Sequence, residues 1–346
     1  MAFHPVASGA MIYYLNTGRG DHTFRGNAIL DDPRLADRFE VLTYDEAYLR
    51  RHWQGGAMIF ADLDRLSWGE ALRATILYRR LRLSHGPIRL LNHPTRTCRR
   101  YALLRRLHDE GVNEHDVYRV DEGRRPRRYP VFIRSEQRHD GAYTRLIEDE
   151  ETLDAEIFWL TSLGLLPQDL LIVEFCDTAD SDGIYRKGTA YIVGDLLFQR
   201  YMFFSDFWEA KAPRHGGVSQ KRAEQPMLDE ETAFIGGEQF MPQLRRVAEI
   251  GGFGFGRIDF GMKDGRAEIW EVNTNPIPTV GRFANQVTER GKWIVPFGWQ
   301  QLRDALATLD DDTAHMTDIE IEPPPDTPTW YTWFREDVRQ RAGKPA

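Results

Sequence analysis

The residues best suited to chemistry lie in one short stretch. It runs Gly256-Arg257-Ile258-Asp259-Phe260-Gly261, crosses Lys263-Asp264-Gly265-Arg266, and returns as Glu268-Ile269-Trp270-Glu271-Val272-Asn273-Thr274-Asn275-Pro276. Polar and apolar residues alternate on both arms, and Asp-Gly is a strong turn signal, so the stretch predicts a β-hairpin. Side chains alternate between faces of a strand, which places Arg257 with Asp259 on one arm and Ile269, Glu271 and Asn273 together on the other. Register decides what meets what. A two-residue loop sets Lys263 opposite Arg266 and Asp259 opposite Trp270, with Glu271 on the wrong side. A three-residue loop from Lys263 to a left-handed Gly265 sets Met262 opposite Arg266 and Arg257 across from Glu271, with Asp259 beside it. The second register is the expected one.

A face carrying two carboxylates, an amide oxygen and a guanidinium suits a hard cation. Asp259, Glu271 and Asn273 form an all-oxygen set for Mg²⁺, with Mn²⁺ as its substitute. Mg²⁺ held by few protein groups takes phosphate oxygens as further ligands. Arg257 beside such an ion is placed for a transferring phosphoryl group. The plainer reading is an amphipathic hairpin whose acids pair with Arg257 and Arg266. Against it stands Asn-Thr-Asn-Pro, an irregular polar segment where an ordinary strand would continue.

Arg-x-Asp-Phe, a turn, and Glu-Val-Asn-Thr-Asn-Pro resemble the metal-binding end of the ATP-grasp ligases, the superfamily of D-alanine–D-alanine ligase, glutathione synthetase and ribosomal-protein glutamate ligases. The resemblance covers roughly residues 90 to 310. It implies an α/β and α+β architecture, in which an N-terminal parallel α/β pre-grasp domain precedes two subdomains that clasp ATP. It also implies an ATP-dependent carbon–nitrogen ligase. A small-molecule carboxylate is activated as an acyl phosphate, an amine displaces the phosphate, and ATP ends as ADP. Residue by residue, Arg100 and Arg134 stand where the family has phosphate-binding lysines. The backbone around Glu174, Phe175 and Cys176 stands at the hinge that pairs with adenine. Lys211, in Glu-Ala-Lys, matches a loop over the terminal phosphate, where with Arg257 it would offset developing charge. Arg186 and Arg200 alternate with apolar neighbours and face either the nucleotide cleft or solvent.

Two departures stand out. The phosphate loop, Ser135 to Gly141, has a single glycine, with Arg138 and His139 as substitutes for its missing amides. Ile277 stands where the family commonly has glycine against the substrate oxyanion. Transfer to a hydroxyl, as in a kinase, a degenerate nucleotide-binding regulatory protein, and a structural interaction protein built around the aromatic tail are the competing readings.

Several elements must position these groups. Strands are expected at Met11–Leu15, Ala57–Phe60 and Ile88–Leu91, with a helix over Trp68–Leu83 capped by Ser67. Strands alternating with helices point to a parallel sheet. Thr97 is read as the cap of a helix from Cys98 to Glu110 that stops at Gly111, and Arg99, Arg100, Arg105 and Arg106 are read mainly as its solvated face. A strand at Val131–Arg134, a helix at about 150–163 and a buried strand from Asp169 to Cys176 follow. Next come a hairpin about Gly194-Asp195, a helical stretch from Asp229 to Ile250 with a flaw at Gly236-Gly237, and Leu302–Leu309 as the close of the last helix. The domains are read as 1–94 (pre-grasp), 95–129 (connecting helix and basic linker), 130–176 (small grasp subdomain), 177–310 (large grasp subdomain) and 311–346 (an aromatic tail). That tail is a docking arm, a homodimer contact or a clasp on its own domain.

Bulk properties bound the partners. The 346 residues carry a net charge of −8, which argues against a general nucleic-acid binder. No apolar run reaches the ~20 residues that span a bilayer. Neither a signal peptide nor a disulfide framework is evident from Cys98 and Cys176, so a soluble cytoplasmic protein is expected. Only six of the 45 basic residues are lysine, at 187, 211, 221, 263, 292 and 344. Each lysine is therefore more informative than usual.

Overall fold

The computed structural model describes residues 10–19, 24, 25, 27–139, 141–210, 224–277, 289–309 and 318–324. Lys211 and the aromatic stretch from Thr329 to Phe334 lie outside them. Chain order is β1 (Met11–Asn16), β2 (Phe39–Thr43), α1 (Tyr44–Leu49), β3 (His52–Gln54), β4 (Gly56–Phe60), α2 (Trp68–Leu83), β5 (Ile88–Leu91), α3 (Arg100–Asp109), β6 (Val117–Arg119), β7 (Val131–Ser135), α4 (Glu150–Ser162), β8 (Leu170–Glu174), β9 (Tyr185–Val193), β10 (Leu196–Ser205), α5 (Glu224–Gly236), α6 (Met241–Gly251), β11 (Phe255–Lys263), β12 (Arg266–Asn273), α7 (Glu289–Ala307) and β13 (Asp318–Glu320).

The first module is a parallel sheet in the order β2-β1-β4-β5. Its central strands read as continuous apolar runs because both faces are covered. Ile12, Tyr14, Ala57 and Ile59 pack toward Phe255 and α7, through Leu302 and Leu306. Tyr13, Leu15, Met58 and Phe60 pack on Ala74, Leu77 and Leu81 of α2. That helix begins in a reciprocal cap between Ser67 and Glu70. The second module is an antiparallel sheet, β6-β8-β7, whose core takes in Leu153 and Leu160 of α4. The third is the antiparallel sheet β10-β9-β11-β12, packed on α3, α5 and α6. The mixed α/β expectation with an N-terminal parallel sheet is met. Among the described residues no helix is long and apolar enough to cross a membrane.

Several expectations change. The helix after Thr97 starts at Arg100, and the Thr97 hydroxyl instead donates to the Gly252 carbonyl. Strand β6 lies inside the stretch read as a linker and pairs with β8. The helical stretch over Asp229–Ile250 divides at its Gly236-Gly237 flaw into two helices, α5 and α6. As expected, the last helix, α7, closes within Leu302–Leu309, at Ala307. Part of the stretch read as a tail is β13, which pairs with β3 in the first module.

The hairpin register is the chief correction. Asp264 and Gly265 both have positive φ, +49° and +76°, so the loop has two residues and Lys263 faces Arg266. A β-bulge at Trp270 then restores what that loop would have spoiled. Phe260 pairs with Ile269, but Asp259 pairs with Glu271 and Arg257 with Asn273. Two residues oppose one across a bulge, which returns Glu271 to the face of Asp259. Gly261 makes room for the displaced ring, since a Cβ there would lie 2.6 Å from Trp270 Cζ2.

Asn92, buried and left-handed at φ +61°, ties the parallel sheet to the start of this hairpin. Its Nδ2 donates to the carbonyls of Phe60 and Phe255, and its Oδ1 accepts from the amides of Gly254 and Phe255. Replacing Asn92 by Ala strands several buried backbone groups and should lower unfolding free energy by about 2–4 kcal/mol. Urea titration of wild type and N92A measures this; a loss too small to resolve would remove the clamp from the account.

Candidate active site

The paired strands set Asp259 and Glu271 side by side at the floor of a cavity between the second and third modules. Both are buried, at 1% and 9% exposure. Buried carboxylates persist as ions only when opposite charges or donors replace the lost water. Here the replacement is generous. Asp259 accepts from Arg257 Nε at 2.6 Å and Nη2 at 2.8 Å, and Lys187 Nζ of β9 lies 2.8 Å from its Oδ2. Glu271 Oε2 lies 2.5 Å from Arg100 Nη2, 3.0 Å from Arg134 Nη2 and 3.6 Å from His139 Nδ1. The distances to Arg100, Arg134 and His139 all run to the same oxygen, Oε2.

Electrostatics follow from this packing. Burial pushes the Glu271 carboxyl up, but Arg100, His139 and Arg134 outweigh it and hold the group well below its ordinary range. Burial likewise opposes ionisation of Asp259, and Arg257 and Lys187 overcome it. Arg134 is shifted the other way, down to about 10, because burial and the neighbouring Arg100 outweigh Glu271. Four cations thus face two carboxylates.

The cavity lining also includes Phe132 and Val173 of the small sheet, Phe175, Cys176, Trp208, Glu209 and Trp270. Trp208 packs on Phe132 and edge-on to Phe175, with ring centroids 4.9 and 5.8 Å apart. The result is an apolar, aromatic end beside a charged end. Its volume is about 90 Å³.

The residues singled out from sequence fall as follows. Asp259, Glu271, Arg134, Glu174, Phe175 and Cys176 line the cavity. Arg257 is bound to Asp259 behind it, and the Asn273 Oδ1 accepts from the Asn275 amide at 2.8 Å. Arg100, far from being a solvated residue, is 4% exposed. Its Nη1 donates to the carbonyls of Ser135, Glu136 and Arg138, so it fastens the single-glycine loop to Glu271. At the hinge, the Glu174 amide donates to Asp116 O and the Phe175 amide to Pro130 O, so neither is available to a base. The Glu174 carboxylate accepts from Tyr118 and from the amides of Asp116, Arg127 and Arg128. Among the described residues the Cys176 amide makes no such bond. Arg186 is not brought to the cavity, because Asp180 and Glu230 hold its guanidinium. Arg200 is buried over the Tyr191 and Tyr201 rings. Lys211 lies outside the described residues.

Sequence reasoning missed Lys187. The scarcity of lysine was the signal that could have found it, since it is one of six and alternates onto the charged face of β9. The aromatic wall carried no comparable signal, because Phe132 lies in an ordinary strand pattern and Trp208 in an aromatic stretch that stood out only for Lys211.

The donor set fits a hard divalent cation, with two carboxylates directly opposite each other and an amide two residues on. Yet both Asp259 oxygens are held by Arg257 and Lys187, so a bare ion has to displace a cation to reach them, whereas an ion arriving with a polyphosphate offers those cations a new partner.

Glu271→Gln should cost about 3–5 kcal/mol at neutral pH, since Arg100 and Arg134 stay buried without their carboxylate. The carboxyl's folded pKa lies below its ordinary 4.5, so its contribution is complete above that value and fades as pH falls through the folded one. Denaturation of both proteins across pH 3–8 (roughly the span of carboxylate titration) should show the gap shrinking only on the acid side. A gap independent of pH would contradict the assignment.

The sequence matches no protein-family model and no curated protein. Among solved structures the chain is similar to D-alanine–D-alanine ligase from Bacillus anthracis, with 11% identity, 85% of this chain and 99% of that chain covered, and a TM-score of 0.45. It is similar to a RimK-domain ATP-grasp protein from Sphaerobacter thermophilus, with 14% identity, 86% and 99% covered, and a TM-score of 0.47. It is also similar to carboxyaminoimidazole ribonucleotide synthase from Aspergillus clavatus complexed with ATP, with 9% identity, 76% and 70% covered, and a TM-score of 0.46. These likenesses include proteins of the superfamily that the hairpin motif resembles.

Proposed function

We propose that the chain is an ATP-dependent carboxylate–amine ligase of the ATP-grasp type. The observation that carries this reading is the pair of opposed carboxylates, ringed by four cations, at the charged end of a cavity whose other end is aromatic. A nucleoside triphosphate matches both ends. The base lies among Phe132, Phe175, Trp208 and Trp270, with the Cys176 amide as the hinge donor. The phosphates meet Lys187, Arg134 and Arg100.

Asp259, Glu271 and Asn273 would hold Mg²⁺, which supplies charge neutralisation at the β- and γ-phosphates. Arg257 keeps the Asp259 carboxylate ionised and aimed. Lys187 and Arg134 stabilise the charge that develops as a substrate carboxylate attacks the γ-phosphorus to give an acyl phosphate. An amine then displaces phosphate and forms the amide. Because the cavity of about 90 Å³ falls below the roughly 300–1,000 Å³ of ligand pockets, nucleotide entry requires the small sheet to part from the hairpin. The Arg134–Glu271 pair breaks in that opening and its carboxylate oxygen becomes available.

Three outcomes are expected. Mg²⁺ alone leaves the melting temperature unchanged, Mg·ATP raises it, and Asp259→Asn abolishes that rise. Lys187→Ala weakens Mg·ATP binding by roughly tenfold or more while the protein stays folded, since Asp259 retains Arg257. Phosphate release across a panel of amino acids and small carboxylates identifies the reaction. ADP formed without free phosphate would make the protein a kinase, and binding without turnover would make it a regulatory module.

A further inference from the structure

Helix α4 is apolar on two sides, and the fold covers one of them. Leu153 and Leu160 point inward and pack on Ile133 and Ile172 of the small sheet. Side chains alternate along a strand, so Phe132 and Val173 face the cavity while Ile133 and Ile172 face α4. The helix therefore covers the side of the sheet turned away from the cavity. Its outer side carries Ala155, Phe158, Trp159, Ser162 and Leu163, all exposed, and Leu166 follows beyond the Gly164 turn. Steps of three and four residues set the helical ones in a single stripe, the spacing of a seam between packed helices. A helix apolar all round is ordinarily buried all round, so the outer side of α4 is built for a second partner.

Area and charge say which partner. Phe158, Trp159, Leu163 and Leu166 are 53–76% exposed. With roughly 150–250 Å² available on one aromatic side chain, the two rings alone offer roughly 200–300 Å². The two leucines bring the apolar total to about 400–500 Å², the size at which exposed apolar surface marks a contact. Two such surfaces together remove about 800–1,000 Å² before any rim is counted, close to what a specific interface buries. The charges are arranged for the same pairing. Glu148, Asp149, Glu150, Glu151, Asp154 and Glu156 crowd the start of the helix, whereas no charged residue occurs from Ile157 to Leu166. Two copies running in the same direction would bring those acids together. Running in opposite directions about a two-fold axis near Ser162, they lay one uncharged half on the other and send the acids to opposite ends.

We propose that α4 packs on α4 of a second copy of this chain, antiparallel about a two-fold axis, so that a homodimer is joined through its small sheets. Phe158, Trp159 and Leu163 form the centre of the contact, and the small side chains of Ala155 and Ser162 let the helices approach. Arg125, bound to Glu150 and Asp154, stands at the rim. The pairing stands whether or not the hairpin site uses ATP.

Sedimentation velocity of the full chain tests it. Wild type should be dimeric at about 10 μM, and Phe158→Glu/Leu163→Glu should raise the dissociation constant roughly tenfold or more. Both side chains are exposed, so this variant is expected to keep its fold and its far-ultraviolet circular dichroism spectrum. A second readout places the contact. Under diamide, Ser162→Cys should form a disulfide-linked pair, because the axis brings the two copies of that position together. Glu151→Cys, at the acidic end, should not, and neither should wild type, whose Cys98 is buried and whose Cys176 lines the cavity. A wild type still monomeric at about 100 μM overturns the pairing, even if Thr329 to Phe334 of its own chain or an unrelated protein covers α4 instead. A dimer that survives Phe158→Glu/Leu163→Glu, or linking at Glu151→Cys as strong as at Ser162→Cys, overturns it equally.

Discussion

Two buried carboxylates that must remain charged impose the central constraint on this molecule. Asp259 and Glu271 face each other across a strand pair, where their repulsion is least screened. The chain offsets it with cations from four elements: Arg257 beside Asp259, Lys187 from β9, Arg100 from α3 and Arg134 from β7. Because these cations come from different elements, the charge pairing also joins the small sheet and α3 to the hairpin. Electrostatics here act as a hinge pin as much as a site.

The first module is fastened to the same place by neutral groups. Asn92 clamps the hairpin's entry, while the Tyr14 hydroxyl donates to Asn275 Oδ1 at 2.7 Å and the Leu63 amide to Thr274 Oγ1 at 3.0 Å at its exit. The irregular Asn-Thr-Asn segment is thus fastened to the first module. Thr274 and Asn275 anchor it, which leaves Asn273 at the edge of the charged face. Positions that look purely catalytic in the sequence therefore carry part of the fold.

Much of this was legible because it is local. Alternation in the hairpin, the Ser67–Glu70 cap of α2 and the apolar runs of β1, β4 and β8 depend on near neighbours, and the structure contains each of them. What the sequence concealed depends on partners far along the chain. The bulge at Trp270 follows from packing over Gly261, so counting loop residues led to the wrong register while still placing Asp259 and Glu271 on one face. Arg100 lies among surface-like arginines, and only the fold brings Ser135, Glu136 and Glu271 to it. Strand β6, three residues long, has too little pattern to read, and exists because β8 offers it an edge.

Strand β13 has a consequence for how the chain is made. It pairs with β3, and Ile319 and Ile321 complete the core around Trp53 and Leu81, where Gly86 leaves space for the Ile319 side chain. A nascent chain emerging from the ribosome therefore holds its leading sheet with one flank uncovered until more than two hundred further residues have been translated. During that interval β3 lacks its partner strand and the core around Trp53 lacks Ile319 and Ile321.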